Sequence, residues 1–284
     1  MVGKAGMNSK PEQERTVNTA WIFDVDGVIT NPSEKRITEP EILDEIIKRL
    51  EKGEPVALNT ERSIKWVIER VINPLVEKTE DKSILQNFFA VGEKGGTWVE
   101  FDENGNLQEG KDNSISVAPD IQEEVRSIIN NKYADSMFFD ETKLTMISTE
   151  MKDGHSLDDY RQQQKPLIEE LEMLLANKNL QDKFKVDPTT IAIDIENKFV
   201  GKHFAAKRII EWVKNKGISP RRYIAFGDSF RSDVPMAEEI HSQGFPVEFV
   251  YVGEENVQTA DYPFPINQPI AHFGNGTLEY LKTL

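Results

Sequence analysis

Hydrophobic and polar positions follow two different rhythms along this chain, and the rhythm changes twice. Trp21-Ile22-Phe23 is an apolar run that stops at Asp24. An unbroken run of this kind reads as a buried strand. From Pro40 to Leu50, the residues Ile42, Leu43, Ile46, Ile47 and Leu50 recur at helical spacing. Pro40 suits the first turn of that helix, and Gly53 suits its end. A short strand is predicted over Pro55–Thr60, a helix from Ser63 to about Val76 with Pro74 near its end, and a strand over Asn87–Gly92. Strands alternating with helices imply a parallel sheet covered on both faces.

From about residue 97 the rhythm differs. Trp98–Leu107 reads as a hairpin around Asn104-Gly105. A helix over Pro119–Lys132 precedes two runs, Ser136–Asp140 and Lys143–Met151. A longer helix over Leu157–Asn177 precedes Phe184–Val186 and Thr190–Ile195, which meet at Asp187-Pro188. Helices segregated from antiparallel hairpins suggest an α+β module. After Asn197 the first rhythm returns: a helix over Lys202–Lys216, a strand Tyr223–Phe226, a helix near Val234–His241 and a strand Val247–Val252. The expected class is α/β, with a Rossmann-like parallel-sheet core over 18–100 and 198–284. An αββαββ module is inserted over 101–197, and residues 1–17 form a disordered tail.

The 284 residues carry a formal net charge of −15. Such an acidic surface argues against nucleic acid and anionic membranes as partners, because both need basic patches. No apolar run approaches the length of a membrane span, and the polar first fifteen residues lack a signal-peptide core. The absence of cysteine rules out disulfides and thiolate metal sites and fits a reducing compartment. Together these features lead us to expect a cytoplasmic protein. Its oligomeric state is not legible.

The acidic balance makes the carboxylates at predicted strand ends more telling. Asp24 and Asp26 stand two residues apart at the end of the first strand, so both aim the same way, and Gly27 then lets the chain turn. Two carboxylates so close need a cation or a shared proton between them, and Mg²⁺ takes oxygen ligands of this type. Taken alone, Asp-x-Asp-Gly also reads as an ordinary turn. Three more segments fall at strand ends or helix starts, where such sheets bind ligands: Asn59-Thr60-Glu61-Arg62-Ser63, Gly201-Lys202, and Gly227-Asp228 through Asp233. Each has a bland reading as turn, cap or solvated charge. Four in order at strand ends make coincidence a poor account. The group suits phosphoryl transfer. A carboxylate can attack phosphorus, a second can move the proton, and a hydroxyl and an ammonium can hold the phosphoryl oxygens. Mg²⁺ would neutralise charge, with Asp24, Asp26, Asp228 and Asp233 as candidate metal residues.

The order of these segments resembles the haloacid-dehalogenase-like (HAD) superfamily of phosphatases. The first motif is matched by Asp24-Val25-Asp26-Gly27-Val28-Ile29-Thr30, the second by Thr60, the third by Lys202 and the fourth by Asp228 and Asp233. The inserted module looks like the class IIB cap of Cof-type and sugar-phosphate phosphatases. The resemblance implies that Asp24 is the nucleophile and that Asp26 is the general acid/base, lending its backbone carbonyl to Mg²⁺. It implies that Asp228 ligates the metal directly and that Asp233 supports it or its waters. Thr60 and Lys202 would grip the phosphoryl group, with Lys198 the rival to Lys202. The chain departs from the family pattern at Thr60-Glu61-Arg62, where Thr-Gly-Arg is common, and at Gly201-Lys202-His203, where the usual order is Lys-Gly. It also places four residues, where Cof-type members have three, between Asp228 and Asp233.

Gly92-Glu93-Lys94-Gly95-Gly96-Thr97 imitates part of a phosphate-binding loop, but a strand and not a helix follows it. It reads as the crossing into the cap. Glu93 and Lys94, with Arg62 and the cap residue Lys143, are the candidate substrate-binding groups; the cap residues Asp187 and Thr189 are also placed near the pocket. The expected activity is Mg²⁺-dependent hydrolysis of a small phosphorylated metabolite, in particular a sugar phosphate, through an aspartyl-phosphate. A sugar phosphomutase is the alternative, and a non-catalytic binding protein on the same fold is the third reading.

Overall fold

The computed structural model describes residues 15–255, 259 and 261–284. The chain opens with strand β1 (Arg15–Phe23), then α1 (Glu41–Glu51), β2 (Val56–Asn59), α2 (Ile64–Val67), a π-helical segment Ile68–Ile72 and α3 (Asn73–Lys78). The single helix expected from Ser63 is thus one continuous stretch with a widened turn before Pro74. Proline has no N–H to close a normal helical hydrogen bond, and a π turn absorbs that defect. β3 (Phe88–Gly92), β4 (Thr97–Phe101) and β5 (Leu107–Lys111) complete the first part.

The middle of the chain forms a second layer pair: α4 (Pro119–Ile128) continued by the π segment Ile129–Tyr133, β6 (Met137–Phe139), β7 (Ile147–Met151), α5 (Leu157–Asn177), β8 (Phe184–Pro188) and β9 (Ala192–Asn197). The chain then returns with α6 (Lys202–Asn215), β10 (Ile218–Gly227), α7 (Phe230–Ser242), β11 (Val247–Tyr251), β12 (Ile266–Asn267) and α8 (Phe273–Leu281).

The larger sheet has eight strands in the order β12-β11-β10-β1-β2-β3-β4-β5. Its first six are parallel, and β4 and β5 are antiparallel additions at one edge. Successive residues of β1 point to opposite faces. Trp21 and Phe23 enter one core with α1 and α8, whereas Ala20 and Ile22 enter another with α6 and α7. Both faces are covered, which is why the strand reads as an unbroken apolar run.

The smaller sheet is antiparallel in the order β6-β7-β9-β8. Ile147, Ile193 and Ile195 face α4 and α5 and form a third, separate core with Tyr160, Leu167 and Leu171. The alternate positions Ser148, Asp194 and Glu196 therefore lie on the other face of this sheet.

Two expectations need correction, and two elements are additional. Residues 1–14 of the expected tail lie outside the described residues, but Arg15, Thr16 and Val17 pair with β10 as part of β1. The hairpin partner β5, expected in the inserted module, belongs to the edge of the larger sheet, because β4 pairs with it along its whole length. β12 and α8 were not expected; α8 buries Tyr280 and Leu281 against the α1 face.

Candidate active site

β1 and β10 are adjacent and parallel, and the chain leaves β1 toward β2 on one side and reaches β10 on the other. Sheets of this kind bind ligands at such a reversal, beyond the carboxyl ends of the strands. Asp24 follows β1 directly, and its N–H donates to the Phe226 carbonyl at 3.0 Å. Asp228 follows β10. Gly27 is what lets the two approach. It sits at φ +72°, and a Cβ there would lie 2.0 Å from Asp228 Oδ2. Any side chain there would be strained and would fill that space.

Asp24, Asp228 and Asp233 each offer a carboxylate oxygen, and the three oxygens lie within 4.8 Å of one another. Asp233 is fully buried in the first turn of α7, where its Oδ2 accepts the Ser229 N–H at 3.0 Å. Lys202 begins α6 and is also buried. Its Nζ lies 2.5 Å from Asp24 Oδ1 and 3.0 Å from Asp233 Oδ1. It also donates to the Asn59 carbonyl at 2.8 Å, while Asn59 Nδ2 returns a bond to the Lys202 carbonyl at 2.8 Å. The rival Lys198 is exposed.

These contacts set the electrostatics. Burial pushes the Asp24 carboxyl well above the ordinary range; Lys202 opposes that, while Asp233 and Asp228 add to it. Burial and the neighbouring Asp233 push Asp228 up to about 7. Burial alone would lower the Lys202 ammonium, but Asp233 and Asp24 outweigh it and hold it above its usual value. One ammonium does not satisfy three carboxylates. Asp24 Oδ1 already takes Lys202 and the Val25 N–H, and both oxygens of Asp233 have neighbours. Among the described residues no cation or side-chain donor reaches Asp24 Oδ2 or the Asp228 carboxylate, and oxygens of Asp24, Asp228 and Asp233 lie within 4.8 Å of one another. An all-oxygen acidic set of this kind fits a hard divalent cation such as Mg²⁺.

Asp26 has a different environment. Its carboxylate is held by Arg62 in a two-pronged contact, Nε to Oδ2 at 2.8 Å and Nη2 to Oδ1 at 3.0 Å. The Arg62 guanidinium also lies over the Trp66 ring, 4.9 Å from its centre. Thr60 is buried at the end of β2, and its Oγ1 accepts the Arg62 N–H at 3.2 Å. A cavity of about 300 Å³ opens between the two sheets, lined on the core side by Asp24, Asp26, Thr60, Glu61, Arg62 and Lys202. Lys143, Ser148, Glu150, Thr189 and Asp194 line it from the smaller sheet and its loops. Lys143 spans the gap, its Nζ donating to the Glu61 carbonyl at 2.7 Å.

Glu93 and Lys94 do not face this cavity. Glu93 is buried and accepts the N–H of Leu144 at 3.0 Å and both the N–H and the hydroxyl of Thr145 at 2.7 Å. Gly96 makes room for that contact, since a Cβ there would lie 2.0 Å from Thr145 Oγ1. Lys94 Nζ lies 2.7 Å from Glu196 and within 4.0 Å of Asp187, Asp194 and Glu61. Lys94 lines an adjoining cavity of about 410 Å³ together with Asp187 and Lys185. This turn fastens the inserted module to the core. For Glu93 the expectation fails, because a buried carboxylate surrounded by donors has no face left for substrate, whereas Lys94 lines the adjoining cavity, which also contains Glu61, Thr189 and Lys202.

Sequence reasoning missed Asn59, Ser148, Glu150 and Asp194. Asp194 was signalled by alternation: Ile193-Asp194-Ile195-Glu196 puts apolar residues on one face and acids on the other.

No protein-family model matches the chain, and comparison with curated proteins finds no match. Solved structures do match. The C-terminal domain of the C. albicans trehalose-6-phosphate phosphatase superposes with a TM-score of 0.65 at 16% identity, covering 94% of this chain and 92% of that one. A haloacid dehalogenase-like hydrolase from Bacteroides thetaiotaomicron gives 0.63 at 15% identity, covering 94% and 99%. The Aspergillus fumigatus trehalose-6-phosphate phosphatase gives 0.57 at 15% identity, covering 94% and 92%. The sheet order, the inserted antiparallel module and these likenesses together give the chain the haloacid-dehalogenase-like fold.

Proposed function

We propose that the protein is a Mg²⁺-dependent phosphomonoesterase that hydrolyses a small phosphorylated metabolite, a sugar phosphate in particular, through an aspartyl-phosphate on Asp24. The observation that carries this reading is the geometry of Asp24. One oxygen is fixed by Lys202 and the Val25 N–H, and the other is left open at the mouth of a cavity shared with Thr60 and Arg62. A fixed, desolvated carboxylate is pre-aimed for attack.

In the first step Asp24 Oδ2 attacks phosphorus, the bond to the ester oxygen breaks, and Asp26 gives that oxygen a proton. In the second, Asp26 takes a proton from water, the water oxygen attacks phosphorus, and Asp24 leaves as the carboxylate. Arg62 must shift its grip from Asp26 to a phosphoryl oxygen for this exchange, and its position at the cavity wall suits that. Thr60 Oγ1 and Lys202 hold the remaining phosphoryl charge. Asp24, Asp228 and the Asp26 carbonyl would hold Mg²⁺, with Asp233 acting in support. When bound, the ion supplies charge neutralisation between nucleophile and phosphate.

The test is phosphate release from a panel of phosphomonoesters, with Mg²⁺ and with chelator, beside Asp24→Asn. Release is expected from the wild type with Mg²⁺ alone. Release that survives chelation or Asp24→Asn at comparable rate contradicts the proposal.

A further inference from the structure

The roof of the cavity is acidic where a phosphatase for multiply charged substrates would need cations. β7 and β9 are paired antiparallel, with Ser148 opposite Asp194 and Glu150 opposite Ala192. Paired residues share a face, so these four side chains form one patch over Asp24 and Asp26, and all four line the cavity. The Glu150 carboxylate accepts no hydrogen bond and meets no cation within ion-pair distance among the described residues. Asp194 is 6% exposed, and its Oδ1 is buried without a hydrogen-bond partner. An orphaned buried carboxylate oxygen is costly unless a donor reaches it. Burial raises both carboxyls above their ordinary range, with Lys143 pulling the other way.

Of the nearby cations, Lys143 alone keeps an unpaired charge on the cavity wall among the described residues, against the three carboxylates of Glu61, Glu150 and Asp194. Lys143 donates to the Glu61 carbonyl, Arg62 holds Asp26, and Lys202 lies between Asp24 and Asp233. Lys94 is 4.0 Å from Asp194 Oδ2 but sits closest to Glu196. Glu61 adds a third carboxylate at the rim. An anionic group on the alcohol part of a substrate would meet these acids at short range, where like charges repel. A hydroxyl would instead donate to the Glu150 carboxylate and to Asp194 Oδ2.

We infer that Glu150 and Asp194 select the leaving group by charge, admitting phosphate esters of neutral, hydroxylated alcohols and rejecting those with a second negative charge. The inference rests on the proposed phosphatase reading for its direction, since that reading puts the phosphoryl group on the core side and the alcohol under the roof.

The test separates selection from turnover. Binding is measured by calorimetry on Asp24→Asn in Mg²⁺, using sorbitol 6-phosphate against 6-phosphogluconate and glycerol 3-phosphate against 3-phosphoglycerate. Each pair is close in size and differs by one carboxylate. The neutral member is expected to bind about tenfold tighter or more, the size of one partly screened like-charge contact. Adding Asp194→Asn and Glu150→Gln is expected to shrink that ratio to within about threefold. Melting curves of each variant check that the fold is kept, and Glu150→Gln alone, on a less buried residue, is expected to give a partial effect in the same direction. Absence of any preference for the neutral members, or a preference untouched by the two substitutions, overturns the inference. Phosphate release by the wild type reports separately on the phosphatase reading.

Discussion

At the scale of residues, the acids of the site are arranged for a cation and not for the stability of the chain. Asp24 and Asp228 both have raised carboxyl pKa values, Asp228 to about 7. The native state therefore binds more protons than the unfolded chain between about pH 4, the ordinary carboxyl range, and about 7. The sign follows: with chelator present, stability is greatest at the acid end of that window and falls as pH rises through it. Thermal melts across the window check this, and Mg²⁺ should flatten the dependence. Asp228→Asn should raise the melting temperature of the chelated protein near neutral pH, because it removes a repulsion. Asp233→Asn should lower it, because Asp233 holds both the Ser229 N–H and Lys202. Equal effects of the two substitutions would contradict this division. Gly27→Ala should cost about 1–3 kcal/mol from backbone strain at φ +72° and should also displace Asp228. Chemical denaturation measures the cost, and Mg²⁺-induced stabilisation should be lost in the same variant.

At the scale of elements, the turn between β3 and β4 joins two structures. Glu93 and Lys94 both adopt left-handed backbone conformations there. The Lys94 N–H donates to the Thr60 carbonyl, its carbonyl accepts the Gly201 N–H, and its ammonium reaches Glu196. One residue thus touches the second motif, the residue before Lys202 and the inserted module. Lys94→Met removes the closest cation from buried Glu196 but leaves it Lys185 at 3.0 Å, so it should destabilise by less than the about 3–5 kcal/mol of a fully unpaired buried charge. Glu93→Gln keeps the shape but loses charge-assisted acceptance, at about 1–3 kcal/mol. Faster hydrogen exchange at the Leu144 and Thr145 amides is the expected local sign; unchanged exchange there would mean that the turn does not fasten the module. Sequence reasoning saw this segment as a crossing and read its charges as substrate contacts. The spacing of Glu93 and Lys94 carries no signal for Leu144 or Glu196, which are distant in sequence. α5, by contrast, spans the expected Leu157–Asn177, because its apolar spacing is long. β12 is two residues long and α8 contains two glycines, so neither gives a period to read.

At the scale of the molecule, three cores hold two sheets with a cleft between them, and the four site segments meet at one end of the larger sheet. That meeting was legible because each segment ends a strand or starts a helix, and parallel sheets gather such ends on one side. The roof was not legible in the same way. Which face of β7 and β9 looks into the cleft depends on how the module docks, and docking is set by Glu93, Lys94, Thr142 and Lys143. The central claim is that Asp24 attacks phosphorus. Turnover with a phosphomonoester can be stopped in acid, any acyl phosphate reduced with borohydride, and the altered residue located by peptide mass spectrometry. Modification at Asp24, absent from Asp24→Asn, is the predicted result. Steady turnover with no modification at Asp24, or with modification at another carboxylate, would contradict the account.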